Sequence, residues 1–212
     1  MNTYPKTNSS VLKDRKTALV IVDMVNGFLT EGVMSSPRCA SVLPACERLL
    51  QFAIDSGIPT IAFADCHEPD CIEFSSFPPH CIRGTSESEI APSLRRIGGD
   101  LNPRRNWIDT YKHIPKNSTN GAITPEFQKW LAENSHIARI VVCGVCTDIC
   151  VMQFCLTLKT LCNQDDRPME ILLPVDAVET YDAPGHDAEA CNAAALQFMQ
   201  QAGITLTDTI DF

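Results

Sequence analysis

Ile140-Val141-Val142-Cys143-Gly144-Val145-Cys146-Thr147-Asp148-Ile149-Cys150-Val151 is the stretch on which the reading of this chain turns. An apolar run of strand length breaks at Gly144. Thr147 and Asp148 then offer N-cap chemistry to a long apolar-periodic segment that begins near Ile149. The expectation is strand, tight turn, helix. Cys150 falls in the first turn of that helix, where unpaired N–H groups and the macrodipole favour an anion and are expected to lower a thiol pKa below its usual value of about 8.5. Cys150 is therefore the candidate nucleophile. Two plainer readings stand beside it. Free cysteine is among the most buried residue types and the chain holds 11 of them, so any one can be core filler. Cys143, Cys146 and Cys150 are also spaced like metal ligands, although the first lies in the strand and the second cluster of a zinc module is missing.

Working outward, the same rhythm repeats. Ala18-Leu19-Val20-Ile21-Val22 is a continuous apolar run ended by Asp23, and Ile58 to Ala64 is another ended by Asp65. Runs without alternation suit strands covered on both faces, as in a parallel sheet. A helical pattern from about Ser41 to Asp55 joins them, which makes a right-handed βαβ unit the default. Later come a weaker strand around Asn106 to His113 and a helix from about Pro125 to Asn134 capped by Thr124. The helix opening near Thr147 runs to about Leu161, followed by a strand at Met169 to Val175, a helix at about Pro184 to Ala202 and a last strand at Ile204 to Thr207. The fold class expected is α/β: a six-stranded, mainly parallel sheet between two layers of helices, in one domain over residues 17–212. Residues 1–16 are polar and read as a loosely held N-terminal arm. Residues from about 65 to 105, rich in Pro, Cys, Ser and His, form an insertion too long for an ordinary βα loop, and such loops are usually functional.

The formal net charge of -9 and a pI near 4.9 argue against nucleic acid or an anionic membrane as partner. No apolar run approaches the roughly 18 to 20 residues of a membrane span, and residues 1–10 lack an apolar leader, so a cytoplasmic address is expected. In a reducing compartment the odd number of cysteines reads as free thiols.

Open parallel sheets collect ligands at the carboxyl ends of their strands. That rule gathers Asp23, Asp65, the region His113 to Lys116 and Gly144 to Cys150 on one rim. A strand-end carboxylate can take a thiol proton, a lysine cation stabilises the thiolate, and helix-terminal N–H groups can hold an oxyanion. Spacing alone does not choose between Lys112 and Lys116. In the insertion, Asp65 and His67 point the same way in extended chain, and Glu73 and His80 follow on a loop stiffened by Pro78 and Pro79. Two imidazoles and two carboxylates suit zinc, or a harder ion such as manganese or iron. Asp70 or Glu68 could stand in for Glu73.

Together, Asp23 followed by Phe28, Asp65-x-His67, Phe77-Pro78-Pro79-His80-Cys81, Lys116 and Gly144-Val145-x-Thr147-Asp148-x-Cys150 resemble the isochorismatase-like cysteine hydrolases, and within them the nicotinamidases. The resemblance covers nearly the whole chain after residue 16 and implies the Rossmann-like fold of that group. It makes Asp23, Lys116 and Cys150 the catalytic triad. It also implies a cis peptide between Val145 and Cys146, with the N–H groups of Cys146 and Cys150 as oxyanion hole. Asp65, His67 and His80 align with metal ligands, and Glu73 matches a variant in which glutamate replaces a third histidine. Phe28 and Phe77 match aromatic walls around a flat ring. Asn120-Gly121-Ala122 departs from the pattern, and Ala122 is expected to enlarge the pocket. The implied activity is hydrolysis of nicotinamide to nicotinate and ammonia, with a divalent metal, zinc first, as cofactor. A small amide is the implied partner, and self-association into a homo-oligomer is expected. The alternatives are the same chemistry on another amide or carbamoyl compound, and a redox-sensing protein that pairs Cys146 with Cys150.

Overall fold

A computed structural model describes residues 4–14, 16–99 and 111–212 of the chain. In chain order, β1 (Thr7–Asn8) and a 3-10 turn precede β2 (Thr17–Val22), α1 (Asn26–Leu29), α2 (Pro37–Ser41), α3 (Leu43–Asp55) and β3 (Thr60–Asp65). Next are α4 (Pro92–Ile97), β4 (Tyr111–Lys116), α5 (Pro125–Glu133) and β5 (Arg139–Val145). A π-helical turn (Thr147–Val151) then leads into α6 (Met152–Gln164), β6 (Glu170–Pro174), β7 (Val178–Glu179), α7 (Ala188–Gln201), β8 (Thr205–Thr207) and β9 (Ile210–Asp211).

Among the described residues the main sheet has seven strands in the order β4-β3-β2-β5-β6-β8, with β7 paired to the end of β5, and each strand ladder in it is parallel. Every residue of β2 and of β3 is buried, which explains why these runs show no alternation. Leu19 and Ile21 face one apolar layer with Leu49 and Leu50 of α3. Ala18, Val20 and Val22 face the other, with Phe127 of α5 and with Phe154 and Leu158 of α6. The α/β/α sandwich is thus as the apolar runs imply.

The differences have local causes. The helix expected from Ser41 is broken at Val42, because Pro44 sits in the first turn of α3 and starts a new helix there. The strand expected over Asn106 to His113 lies outside the described residues as far as residue 110, and β4 continues past His113 to Lys116. Pro115 argues against a central strand, but β4 is at the edge of the sheet, where a missing N–H costs no ladder bond. The two-residue strands β7 and β9 are too short to show a period. The polar arm is tied down where it is described: β1 pairs with β9, the Thr207 hydroxyl donates to the Pro5 carbonyl at 2.6 Å, and Leu12 is buried in the core. No helix among the described residues is long and apolar enough to cross a membrane.

Candidate active site

Four adjacent strands, β4, β3, β2 and β5, deliver the predicted residues to one rim in spatial order. Lys116 ends β4 and is the register partner of Asp65 at the end of β3. Asp23 follows β2 in a left-handed conformation (φ 51°), a backbone state that non-glycine residues adopt mainly where the surroundings hold them. Gly144, near the end of β5, has φ 118°, and a Cβ there would lie 2.0 Å from the Val22 carbonyl oxygen, so only glycine fits. The peptide between Val145 and Cys146 is cis.

Beyond it the chain does not enter an α-helix capped by Thr147 or Asp148. Cys146 is the capping position, its carbonyl accepts from the N–H groups of Ile149 (3.2 Å) and Val151 (3.1 Å), and Thr147 and Asp148 lie inside the widened turn. Their capping role is therefore corrected: Cys146 holds the cap position, and Asp148 instead accepts from His186 Nε2 at 2.8 Å.

Asp23, Lys116 and Cys150 converge under the rim, each buried. Lys116 Nζ stands 2.8 Å from Asp23 Oδ2, forms an ion pair with Asp65 on its other side, and lies 3.9 Å from Cys150 Sγ. Lys112, the other candidate, is exposed near the start of β4. Burial would lower the Lys116 pKa, but the carboxylates of Asp23 and Asp65 together outweigh it and hold the ammonium charged. Burial raises Asp23 to about 6, against the pull of Lys116. Burial also pushes the Cys150 thiol well above its usual value, Lys116 offsetting only part, with Asp23 and Asp65 pushing the same way as burial. This reverses the expectation of a thiol acidified by a helix start. Desolvation and two nearby carboxylates act against the thiolate here. The Asp23 carboxylate is among the groups acting on that thiol and, with its own pKa near 6, has the chemistry of a base.

The predicted metal residues also meet. Ligand atoms of Asp65, His67, Glu73 and His80 all lie within 4.8 Å of one another. Asp65 Oδ2 is 3.3 Å from Nε2 of both histidines, and Glu73 Oε1 is 3.6 Å from His67 Nε2. The other ring nitrogens are already engaged. His80 Nδ1 donates to the Pro78 carbonyl at 2.8 Å. His67 Nδ1 is 3.3 Å from Asn117 Oδ1, whose oxygen is identified by the Glu68 N–H that it also accepts (3.0 Å). Both Nε2 atoms face the cluster: His80 Nε2 is within hydrogen-bonding distance of Asp65 Oδ2, while His67 Nε2 and Glu73 Oε1, both buried, have no hydrogen-bond partner. Glu73 Oε2 is fixed by the Thr119 N–H at 3.0 Å. Orphaned lone pairs aimed at a common point fit a divalent cation. Glu68 and Asp70 are exposed and outside the cluster, which assigns the fourth position to Glu73.

A cleft opens over both groups, lined by Phe28, Phe77, Met34, Ile149 and Tyr181 together with Asp65, Glu73, His80, Thr119, Cys146 and Cys150. Phe28 and Phe77 both line it. Ala122 does not: it is fully buried in the core with Phe127 and Phe154, so it cannot enlarge the cleft. Sequence reasoning missed Asn117, Thr119 and Tyr181. Asn117 directly follows Lys116, which was the available signal; Tyr181 had none.

The family described as Isochorismatase domain matches residues 17–211. The chain belongs to the isochorismatase family. Nicotinamidase 1 from Arabidopsis thaliana is 31% identical to this isochorismatase-family chain over 211 residues, spanning 91% of the chain and 82% of that protein. Two solved structures share the isochorismatase fold. Nicotinamidase from Bacillus subtilis superposes with a TM-score of 0.74 at 22% identity, covering 91% of this chain and 99% of its own. Pyrazinamidase of Pyrococcus horikoshii, solved in complex with zinc, has a TM-score of 0.69 at 22% identity, covering 91% of this chain and 98% of its own.

Proposed function

We propose that the protein is a cysteine amidohydrolase that converts nicotinamide to nicotinate and ammonia. The observation that carries this reading is one aromatic-walled cleft lined by Cys150, which has Asp23 and Lys116 buried with it, and by Asp65, Glu73 and His80 of the four-residue donor cluster. Relatives at 31% identity and below are named nicotinamidases, which supports the choice of amide.

Asp23 removes the Cys150 proton as the sulfur attacks the carboxamide carbon, and the Lys116 ammonium stabilises the thiolate as it forms. The N–H groups of Cys146 and Cys150 receive the oxyanion; one such donor is typically worth on the order of 3 kcal/mol in the transition state. Asp23 returns the proton to the departing ammonia, leaving a thioester that water, deprotonated by the same carboxylate, hydrolyses. Asp65, His67, Glu73 and His80 would hold the divalent ion, zinc being favoured by two imidazoles with two carboxylates, and the ion would supply a Lewis-acidic anchor for a ring nitrogen. Phe28 and Phe77 enclose the ring. The free thiols suit a reducing setting such as the cytoplasm. Ammonia release from nicotinamide, with metal analysis on the same sample, tests the reading. Cys150→Ala should abolish release while the unfolding transition survives; undiminished turnover by that variant would sink the mechanism.

A further inference from the structure

The cleft has an aromatic lining residue outside the resemblance, Tyr181, in the connection between β7 and α7. Its ring lies flat on the imidazole of His186, with centroids 4.1 Å apart and planes 6° from parallel. His186 is itself held at both nitrogens. Nδ1 donates to the Tyr181 carbonyl at 2.8 Å, and Nε2 meets Asp148 Oδ2 at 2.8 Å. A backbone carbonyl and a carboxylate are both acceptors, so both ring nitrogens carry protons and the imidazole is a cation stacked on the phenol face. Burial works against this charge, and the bonds to Asp148 and to the Tyr181 carbonyl together with the Asp148 charge outweigh it, leaving the His186 pKa raised. Cys191 is within 4.8 Å of the Asp148 and His186 donor atoms, but an imidazolium has no lone pair to offer a metal, so the trio is an ion pair beside a thiol.

Asp148 stands two residues before Cys150 in the same π-helical turn. The series Asp148, His186, Tyr181 therefore runs from the nucleophile's own backbone to the wall of the cleft. A ring braced in this way is already ordered when a ligand arrives, which removes part of the entropic cost of stacking on it.

We propose that Tyr181 is a substrate-contacting wall selecting aromatic amides, and that His186 and Asp148 are positioning residues that hold its ring in register with the Cys150 turn. The proposal rests on the amidase reading of the cleft, and the test separates the two. Equilibrium binding of nicotinamide, benzamide and cyclohexanecarboxamide is measured on metal-loaded Cys150→Ala protein, with and without Tyr181→Ala. Loss of the stacked face should weaken the two aromatic amides about tenfold and the saturated ring less than threefold. Tyr181→Phe, which keeps the face, should stay within twofold of the parent. His186→Ala, its unfolding midpoint followed in parallel, should cost the aromatic amides about threefold. Equal losses on all three amides, no loss on any, or no binding of any by the parent overturn the wall; an unchanged aromatic affinity in His186→Ala overturns the positioning role. Wild-type turnover of nicotinamide decides the other question independently. Turnover with unchanged aromatic affinity in Tyr181→Ala removes the wall and leaves the function; aromatic-selective loss without turnover does the reverse.

Discussion

Lys116→Met exchanges a buried ammonium for an uncharged side chain of similar length. In the native site Nζ stands 2.8 Å from Asp23 Oδ2, pairs with Asp65, and lies 3.9 Å from Cys150 Sγ, at 2% exposure. Without it, two carboxylates share a site closed to water. Removing one partner of a buried ion pair costs about 3–5 kcal/mol. For a domain of this size that is a fall in Tm on the order of 10 °C. The cost requires that both carboxylates be ionised. Asp23 already sits near 6, above its ordinary 3.8, and Lys116 is a cause holding it down, so the variant's Asp23 moves higher still. A carboxyl whose folded pKa exceeds its unfolded one destabilises the fold when ionised and ceases to do so as pH falls through the folded value. The deficit should thus be largest at pH 8 and shrink by pH 5, while activity at pH 7 falls because Asp23 is protonated and cannot take the thiol proton. Urea unfolding of chelated wild type and variant at both pH values measures this. A deficit below about 1 kcal/mol at pH 8, or one that does not shrink at pH 5, would refute the electrostatic account, since loss of packing alone does not depend on pH.

In the wild type, kcat/KM should fall about tenfold per pH unit below a pKa near 6, since Asp23 acts as base only when ionised; a profile level down to pH 4.5 would remove Asp23 from that role. Gly144→Ala places a methyl 2.0 Å from the Val22 carbonyl at φ 118°, and should cost about 3 kcal/mol or more, because β2 and β5 must part. An unfolding midpoint equal to wild type would contradict it. Asn117→Leu releases His67 Nδ1, and chelator competition should show metal affinity reduced by about 10- to 100-fold; unchanged affinity would mean that the ring is held by its packing alone.

Much of this was legible because the signals are local. Unbroken apolar runs ended by Asp23, Asp65 and Gly144 mark buried parallel strands and the rim at which they end, and Thr124 caps α5 as its hydroxyl allows, accepting from the Phe127 N–H. The failures have a common cause. The strand expected to end at His113 runs on through Pro115 to Lys116, which an edge strand tolerates, and edge position is a property of the assembled sheet. Thr147 and Asp148 have the chemistry of caps, yet both lie inside the π-helical turn and Cys146 takes that position. Ala122 belongs to the core with Phe127 and Phe154, which its sequence neighbours do not reveal.

The order of residue types along the chain by itself pointed to the α/β class, the rim, and the candidates Asp23, Cys150, Asp65, His67 and His80, because strand ends and the motifs attached to them are written in consecutive residues; Lys116 was set apart from Lys112 only by the resemblance, and the fold buries the first and exposes the second. Tertiary structure alone decided the protonation states and the brace behind the cleft. A helix start is a local feature that favours a thiolate, but burial and two carboxylates brought in by separate strands push Cys150 the other way. Tyr181 and His186 follow the nucleophile by more than 30 residues and meet its turn only because β7 lies against the end of β5. Desolvation and such meetings depend on what packs around a group, and that is settled only when distant segments close on one another.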